Sequence, residues 1–354
     1  MKLPSLLSLA WAALSLSVQA QTGLREIHSH AMPIRVLYPT AEANKSLHSG
    51  GIAFEAAPDA APRPGTRRLV VLSHGSGGNP VVDHTLATTL VGAGFVVAQP
   101  LHRGDNFRDF SQAGPASWQT RPQEVSETID TLSRDDTFGP LLRSDRVGVH
   151  GMSAGGVSGL ALAGAQWRMQ GVIEHCNQYL ETDIGFCLNG LAQQPLQQRL
   201  RRAQFALARN TPHALLPSAM SALHGGRWPA PDPRPDPRVA AVSLLVPVGA
   251  VFTPESLARI RIPVGLTEAQ GDVVLVPQFH SGHVLRHCSA CSVLSSHAEA
   301  GHFDWLWPWP ADVARNVAAA QMRGGLPNPA FTSAQRQSAF ERIASFFAQQ
   351  LNTP

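Results

Sequence analysis

The sequence of 354 residues predicts an α/β fold, with a mostly parallel, doubly wound sheet and an inserted helical cap. Short runs rich in valine and leucine alternate with helical segments, which is typical of a parallel sheet covered on both faces. A polar, proline-rich stretch over 170–237 interrupts this alternation and predicts the cap. Apolar residues make up 44% of the chain and charged residues 15%, as in a globular protein with a sizeable core. The net charge of +3 comes without a long basic run, so no nucleic-acid partner is expected.

The first twenty residues have the layout of a secretory signal peptide. Lys2 precedes an apolar run over 6–18, and the small residues Val18 and Ala20 occupy the −3 and −1 positions of a cleavage site. The run is short for a bilayer span, which needs about 20 residues, so no stable membrane insertion is expected. We therefore predict export to the periplasm or the medium, with a mature chain from Gln21. An uncleaved membrane anchor is the alternative.

The elements follow one another in a regular order after the leader. Strands are predicted where valine and leucine runs end at glycine or proline, and helices where the apolar spacing is helical. The predicted strands are 67–73, 95–101, 146–150, 239–248 and 262–266, and the predicted helices are 83–93, 122–133, 154–169 and 329–351. Pro122 is expected at an early position of its helix, where proline is tolerated. The cap ends in a proline-rich exit linker over 229–237.

Four cysteines form two local pairs, Cys176 with Cys187 and Cys288 with Cys291. In an exported protein an even number of cysteines indicates disulfides, and three connectivities are possible. We favour the two local pairings because short loops close most readily. Free or redox-active thiols are one alternative. A metal site is another, because three histidines that would share one helical face accompany the second pair, namely His280, His283 and His287.

A G-x-S-x-G sequence lies between a predicted strand and a predicted small-residue helix, at residues 151–155. This setting is that of a nucleophile elbow, a sharp turn that exposes a reactive serine at a helix N-terminus. Ser153 is the predicted nucleophile. The alternative is an ordinary Gly-Ser turn between two elements.

A serine nucleophile needs a base and an acid that orients the base. In this type of fold the acid follows the serine along the chain, and the histidine base follows the acid. His302 lies late in the chain, in a glycine-containing turn after the last predicted strand. The acid should lie just beyond the strand over 262–266, where both Glu268 and Asp272 qualify. We favour Asp272 because it follows Gly271 in a turn, while Asp304 is expected to be a surface or capping residue.

The oxyanion hole requires backbone N–H groups aimed at the developing negative charge. One is expected from Ala154, directly after the nucleophile. The second is expected from the glycine-rich loop over 74–78, with Ser76 as the donor and Gly75 as the alternative. His74 is expected to buttress this loop.

A cluster of aromatic residues directly follows His302 in the sequence. They are Phe303, Trp305, Trp307 and Trp309. They could form a hydrophobic wall for an acyl or alkyl group, or pack in the core beneath the last loop.

Together these segments resemble the α/β-hydrolase superfamily, and more narrowly the predicted dienelactone hydrolases related to platelet-activating-factor acetylhydrolases. The matching segments are LSHGSGG (72–78), GFVVAQPLHRGDNFRD (94–109), RPQEVSETID (121–130), RVGVHGMSAGG (146–156), DPRVAAVSLLVP (236–247), IPVGLTEAQGD (262–272) and AGHFDW (300–305). The resemblance implies a serine hydrolase without a cofactor, with Ser153 as nucleophile, Asp272 as acid and His302 as base. The chain departs from true dienelactone hydrolases, whose nucleophile is a cysteine.

The sequence thus predicts an exported hydrolase that cleaves short to medium acyl or lipid-like carboxylic esters, with a small-molecule substrate and no metal. Two alternatives stay open. The same three side chains could cleave amides or peptides, or the chain could be a non-catalytic binding protein on a hydrolase scaffold.

Overall fold

A computed structural model describes residues 21–30, 32–49, 51–188, 195–210, 235–306, 308–319 and 324–352. The predicted signal peptide, Trp307 and most of the predicted exit linker lie outside these residues. Among the helices in the described ranges, none is long and apolar enough to cross a membrane.

The strands of the described residues form one ten-stranded sheet. Their bounds are β1 Gln21–Ser29, β2 Met32–Thr40, β3 Lys45–Ser49, β4 Ile52–Pro58, β5 Leu69–Ser73, β6 Val96–Pro100, β7 Val147–Met152, β8 Val239–Leu245, β9 Val264–Ala269 and β10 Cys291–His297. Their order across the sheet is β10-β9-β8-β7-β5-β6-β2-β1-β4-β3.

The six strands from β10 to β6 in this order are mutually parallel, which confirms the predicted mostly parallel sheet. β2 joins β6 in antiparallel orientation and continues into a hairpin with β1. The sequence interpretation missed β1–β4 and β10. Because the six central strands are parallel, their carboxyl ends meet at one edge of the sheet, where ligand sites of such folds lie.

The helices connect these strands and cover both faces of the sheet. Their bounds are α1 His84–Gly92, α2 Pro115–Arg134, α3 Gly155–Leu162, α4 Met169–Tyr179, α5 Ile184–Cys187, α6 Pro195–Asn210, α7 Pro254–Leu257, α8 Ser281–His287, α9 Ala311–Ala319 and α10 Ser333–Leu351. The apolar sides of α2 and α3 pack in one core cluster, and those of α1 and α10 pack in another.

Two helix predictions were wrong in their bounds. α2 begins at Pro115, directly after Gly114, so Pro122 lies inside the helix rather than at its start. The predicted helix over 154–169 ends at Leu162, because Gly164 adopts a φ of +100° that a right-handed helix cannot continue through.

The closing helix α10 supplies the apolar stripe that the sequence predicts. Phe340, Ile343, Phe346 and Phe347 are all buried against the sheet. Its N-terminus carries a capping box, in which Thr332 and Gln335 bond each other's backbone N–H groups. The helix thus fixes the C-terminal end of the chain onto the face that α1 also covers.

Part of the segment predicted as a cap is described, as α4, α5 and α6. The Cys176–Cys187 disulfide joins α4 to α5, and Phe205 of α6 packs against it. The second disulfide, Cys288–Cys291, lies between α8 and β10. The cysteines are thus paired as the short-loop argument favours, and the extent of the cap over 170–237 stays a prediction.

Candidate active site

Ser153 stands at a sharp turn between β7 and α3. Its φ of +53° lies in the left-handed region, which costs a non-glycine residue on the order of 1–3 kcal/mol. The turn is held from several sides: the Ser153 N–H donates to Leu245 O at 3.0 Å, and its carbonyl accepts from Val248 N at 3.0 Å. A Cβ on Gly155 would lie 1.9 Å from Ser73 O, so only glycine fits there. These contacts hold Ser153 in a strained backbone conformation, directly beyond the end of β7.

His302 lies beside Ser153 and joins it to a carboxylate. His302 Nε2 is 3.0 Å from Ser153 Oγ, and His302 Nδ1 is 2.7 Å from Asp272 Oδ2. A carboxylate only accepts hydrogen bonds, so Nδ1 carries the proton and Nε2 is left to accept one from the serine hydroxyl. The imidazole and the carboxylate are buried, while Ser153 stays partly exposed.

The structure separates the two candidate acids. β9 extends to Ala269, so Glu268 lies inside the strand and accepts a hydrogen bond from Ser281 Oγ at 2.9 Å. Asp272 lies beyond the strand end, and its second oxygen accepts the N–H groups of Val274 and Leu275 at 2.7 and 2.8 Å. These two bonds fix the carboxylate so that Oδ2 faces the imidazole.

Asp304 holds the loop that carries the histidine. Its carboxylate accepts the N–H of Gly301 at 2.7 Å and that of Asn328 at 2.9 Å. Asp304 is buried, so the predicted surface position is wrong, and its carboxylate bonds loop backbone at two places instead.

The glycine-rich loop after β5 passes directly over the serine. A Cβ added to Gly75 would lie 3.4 Å from Ser153 Cβ and 3.9 Å from its Oγ. Within the described part of the chain, the backbone N–H groups of Gly75, Ser76 and Ala154 make no hydrogen bond. The loop and the start of α3 therefore bring free donors to the side of Ser153.

The buried imidazole of His74 bonds the backbone of the glycine-rich loop and of a neighbouring segment. Its Nδ1 is 2.7 Å from Gly75 O, and its Nε2 accepts the N–H of His102 at 3.2 Å. Burial lowers the pKa of His74 well below its ordinary value, with the nearby His102 acting in the same direction, so the ring stays neutral. This agrees with the buttressing role that the sequence suggests.

A second serine–histidine–carboxylate row lies beneath the site. His102 Nδ1 is 2.7 Å from Glu124 Oε2, and His102 Nε2 is 2.8 Å from Ser73 Oγ. All three side chains are buried, so no substrate reaches them. Burial lowers the pKa of His102 and raises that of Glu124. The three side chains link α2 to the end of β5, so we assign them a structural role.

The metal ligands considered for the second cysteine pair have other partners. Cys288 and Cys291 are bonded to each other. His283 Nε2 is 2.9 Å from Phe252 O, and His280 Nε2 is 2.9 Å from Asp183 Oδ2. These contacts engage both cysteines and two of the three histidines of the alternative metal set.

Asp183 is shared by two histidines. His175 Nε2 and His280 Nε2 lie 2.7 and 2.9 Å from its Oδ2. Within the described residues, one cluster of potential metal donors is found, and it includes Asp183. It consists of His175, Asp183 and Cys187, whose donor atoms lie within 4.8 Å of one another. Since Cys187 Sγ is bonded to Cys176, the cluster lacks a thiolate in this structure.

Aromatic side chains border the site on two sides. The Phe303 ring lies 4.9 Å from that of His302, and Trp309 lies behind it at 5.9 Å. Trp305 is buried against Phe331 and belongs to the core, as one of the two interpretations of the tryptophans predicts. On the other side, half-exposed Phe110 packs beside the glycine-rich loop, a residue that sequence reasoning missed.

The largely parallel sheet, with Ser153 in the turn after its central strand β7, is the arrangement of the α/β-hydrolase fold. No protein-family model matches the chain. No curated protein matches it.

Solved structures share the fold. A ferulic acid esterase from Streptomyces cinnamoneus aligns over 97% of this chain and 95% of its own, with a TM-score of 0.55 and 17% identity. A dienelactone hydrolase from Anabaena variabilis aligns over 94% and 100% of the two chains, with a TM-score of 0.46 and 12% identity. The likeness to the ferulic acid esterase, together with the order of the strands, shows that the chain has the α/β-hydrolase fold.

Proposed function

We propose that this protein is a serine hydrolase of carboxylic esters, with Ser153 as nucleophile, His302 as base and Asp272 as the orienting acid. The observation that carries the proposal is the row of hydrogen bonds from the strained Ser153 through His302 to Asp272, at 3.0 and 2.7 Å. A serine hydroxyl is a weak nucleophile until an adjacent base accepts its proton. The fold shared with a ferulic acid esterase is in keeping with this reaction class.

In the first half of the reaction, Ser153 Oγ attacks the ester carbonyl carbon while His302 Nε2 takes the hydroxyl proton. The carbonyl oxygen becomes an oxyanion, which the N–H groups of Ala154 and Ser76 stabilise, with Gly75 as the alternative donor. The C–O bond to the alcohol then breaks, and His302 returns the proton to the leaving alkoxide. An acyl-enzyme on Ser153 remains.

In the second half, water attacks the acyl-enzyme. His302 takes a proton from the water, the same N–H groups hold the second oxyanion, and the acid leaves as Ser153 recovers its proton. Asp272 holds the imidazole in one tautomer throughout and stabilises the imidazolium that forms in each half.

Short to medium acyl esters and lipid-like esters are the proposed substrates. Ser153 is partly exposed, and the partly exposed Phe303 and Phe110 offer apolar surface near it. Esters are favoured over amides because an alkoxide leaves more readily than the anion of an amine.

We further propose that the protein works outside the cytoplasm. Both disulfides suit an oxidising compartment. N-terminal sequencing of the protein from its native host should find Gln21 as the first residue. A chain that still begins at Met1 would contradict cleavage.

The function is tested by the turnover of p-nitrophenyl butyrate by Ser153→Ala. We expect a loss of at least about 10³-fold in kcat, because the removal of a nucleophile abolishes the acyl-enzyme. Ser281→Ala is the matched control: its hydroxyl bonds Glu268 rather than the proposed acid, so its kcat should stay within about twofold of wild type.

Two results would count against the proposal. Full activity in Ser153→Ala would exclude the mechanism, and no ester turnover by the wild type would favour a non-catalytic binding protein. Rates on matched p-nitroanilides test the amide alternative, because an amidase would turn them over and an esterase would leave them intact.

A further inference from the structure

Arg121 is a fully buried arginine of α2 that is directed at the glycine-rich loop. Its guanidinium donates to the carbonyl oxygens of His74 and Gly75, the latter at 3.3 Å, and to Asp105 O at 3.1 Å. A charge that is withdrawn from water needs a partner of opposite sign and hydrogen bonds for its remaining groups. Here most of those bonds end on the backbone of the loop that covers Ser153.

Asp105 is the partner, and it bonds the same loop from another side. Its Oδ2 accepts from Arg121 Nη2 at 2.8 Å and from Ser117 Oγ at 2.6 Å. Its Oδ1 accepts from Ser76 Oγ at 2.7 Å and from Gly77 N at 2.8 Å. Burial opposes ionisation of Asp105, but the charge of Arg121 and these hydrogen bonds outweigh it and lower the pKa of the carboxyl. The carboxylate therefore stays charged at neutral pH.

These contacts determine which way the loop's N–H groups face. A trans peptide unit is planar, so its carbonyl oxygen and the N–H of the next residue point in opposite directions. Gly75 O lies 2.7 Å from His74 Nδ1, and it also accepts from Gly78 N at 3.1 Å and from Arg121 Nη2. These contacts direct the Ser76 N–H away from Arg121. The bond from Arg121 to His74 O fixes the Gly75 N–H in the same manner.

We propose that Arg121 and Asp105 are positioning residues, which orient the N–H groups of Gly75 and Ser76 toward the oxyanion of the esterase reaction. This inference rests on the proposed function. Neither side chain touches the substrate. Without the pair, the His74 carbonyl loses its bond from Arg121, and Ser76 Oγ and Gly77 N lose their carboxylate partner. The peptide units on either side of Gly75 are then less constrained, and a carbonyl oxygen can turn toward the developing negative charge.

The test compares Asp105→Asn with a matched control, Asp236→Asn. Asp236 also pairs with an arginine, Arg238 at 2.7 Å, and accepts from a serine, Ser126 Oγ at 2.8 Å, but it makes no contact with the loop. For Asp105→Asn we expect kcat on p-nitrophenyl butyrate to fall about 10- to 100-fold, with KM within about threefold of wild type. The loss should be smaller than the reduction in kcat of about 10²–10³ that follows removal of a whole oxyanion donor. Asp236→Asn should retain kcat within about twofold.

A transition-state analogue separates positioning from general damage to the structure. A trifluoromethyl ketone forms a tetrahedral oxyanion adduct with the serine, so its Ki should rise by the same factor by which kcat/KM falls. Wild-type kcat and Ki in Asp105→Asn would overturn the proposal, as would a change confined to KM or to Tm.

If Asp105→Asn does not fold, Ser76→Ala decides, since it removes only the hydroxyl that bonds Asp105 and keeps the backbone N–H. Wild-type kcat and Ki in that variant would then overturn the proposal, and a parallel loss in both would support it. A wild-type enzyme that turns over no ester would instead refute the proposed function, and this inference with it.

Discussion

Replacing Asp272 by asparagine tests whether its carboxylate orients the imidazole. One oxygen of Asp272 accepts the N–H groups of Val274 and Leu275, and the other accepts from His302 Nδ1. The amide oxygen of an asparagine would keep the two backbone bonds, so its NH₂ group would face His302. The imidazole would then carry its proton on Nε2, opposite the hydroxyl of Ser153, and could not take the serine's proton.

The expected cost follows from that tautomer. A base held in the wrong tautomer reduces kcat by about 10⁴, or about 5 kcal/mol in the activation free energy. The assay is kcat on p-nitrophenyl butyrate near pH 7.5, with Glu268→Gln as the control. The bond from Ser281 Oγ to Glu268 survives in glutamine, so that variant should keep wild-type kcat. A loss of less than about tenfold in Asp272→Asn, or an equal loss in Glu268→Gln, would refute the assignment of the acid.

Three further variants probe specificity and stability. Phe110→Ala should lower kcat/KM about tenfold more for p-nitrophenyl octanoate than for the acetate, whereas Phe107→Ala, a similarly exposed control (50% against 56%), should leave that ratio unchanged. Burial raises the pKa of Asp183, but the hydrogen bonds from its two histidines outweigh it and hold the value at about 2. Its stabilisation is therefore present above pH 4 and lost as the pH falls toward 2, so Tm should fall more steeply over that range in the wild type than in Asp183→Asn. Phe347→Ala should lower the free energy of unfolding by about 3–5 kcal/mol in urea, because the ring is fully buried. An unchanged urea midpoint would contradict that burial argument.

The sequence predicts the central strands because they are buried on both faces and therefore read as continuous apolar runs. Val147–Met152 and Val239–Leu245 are of this kind. The sequence does not predict β1 and β2 in this way. In β2, for example, Pro33 and Arg35 interrupt the apolar pattern. These strands depend on pairing with each other and with β6, and such pairing between distant segments leaves little trace in local periodicity.

The serine is evident in the sequence because its turn requires glycines at fixed positions next to a strand. The choice between two acids is less evident, since it depends on where β9 ends. The sequence places that end at Leu266 and the structure at Ala269, which puts Glu268 inside the strand.

The pair of Asp105 and Arg121 could not be found by local pattern. The two residues are 16 positions apart on different elements, and Arg121 reaches a carbonyl 47 positions away. A polar residue on a helix ordinarily indicates the solvent face. Only the packing of α2 against the glycine-rich loop shows that this arginine faces inward.

The identity of the residue that a fluorophosphonate labels tests Ser153 as the nucleophile without any substitution. The wild-type protein should take up one phosphonyl group at neutral pH, and peptide mapping by mass spectrometry should locate it on Ser153. Heat-denatured protein should take up none, because the reactivity depends on the folded arrangement with His302. A fully folded wild-type protein that remains unlabelled, or that carries the group on another residue, would contradict the assignment of Ser153 as the nucleophile.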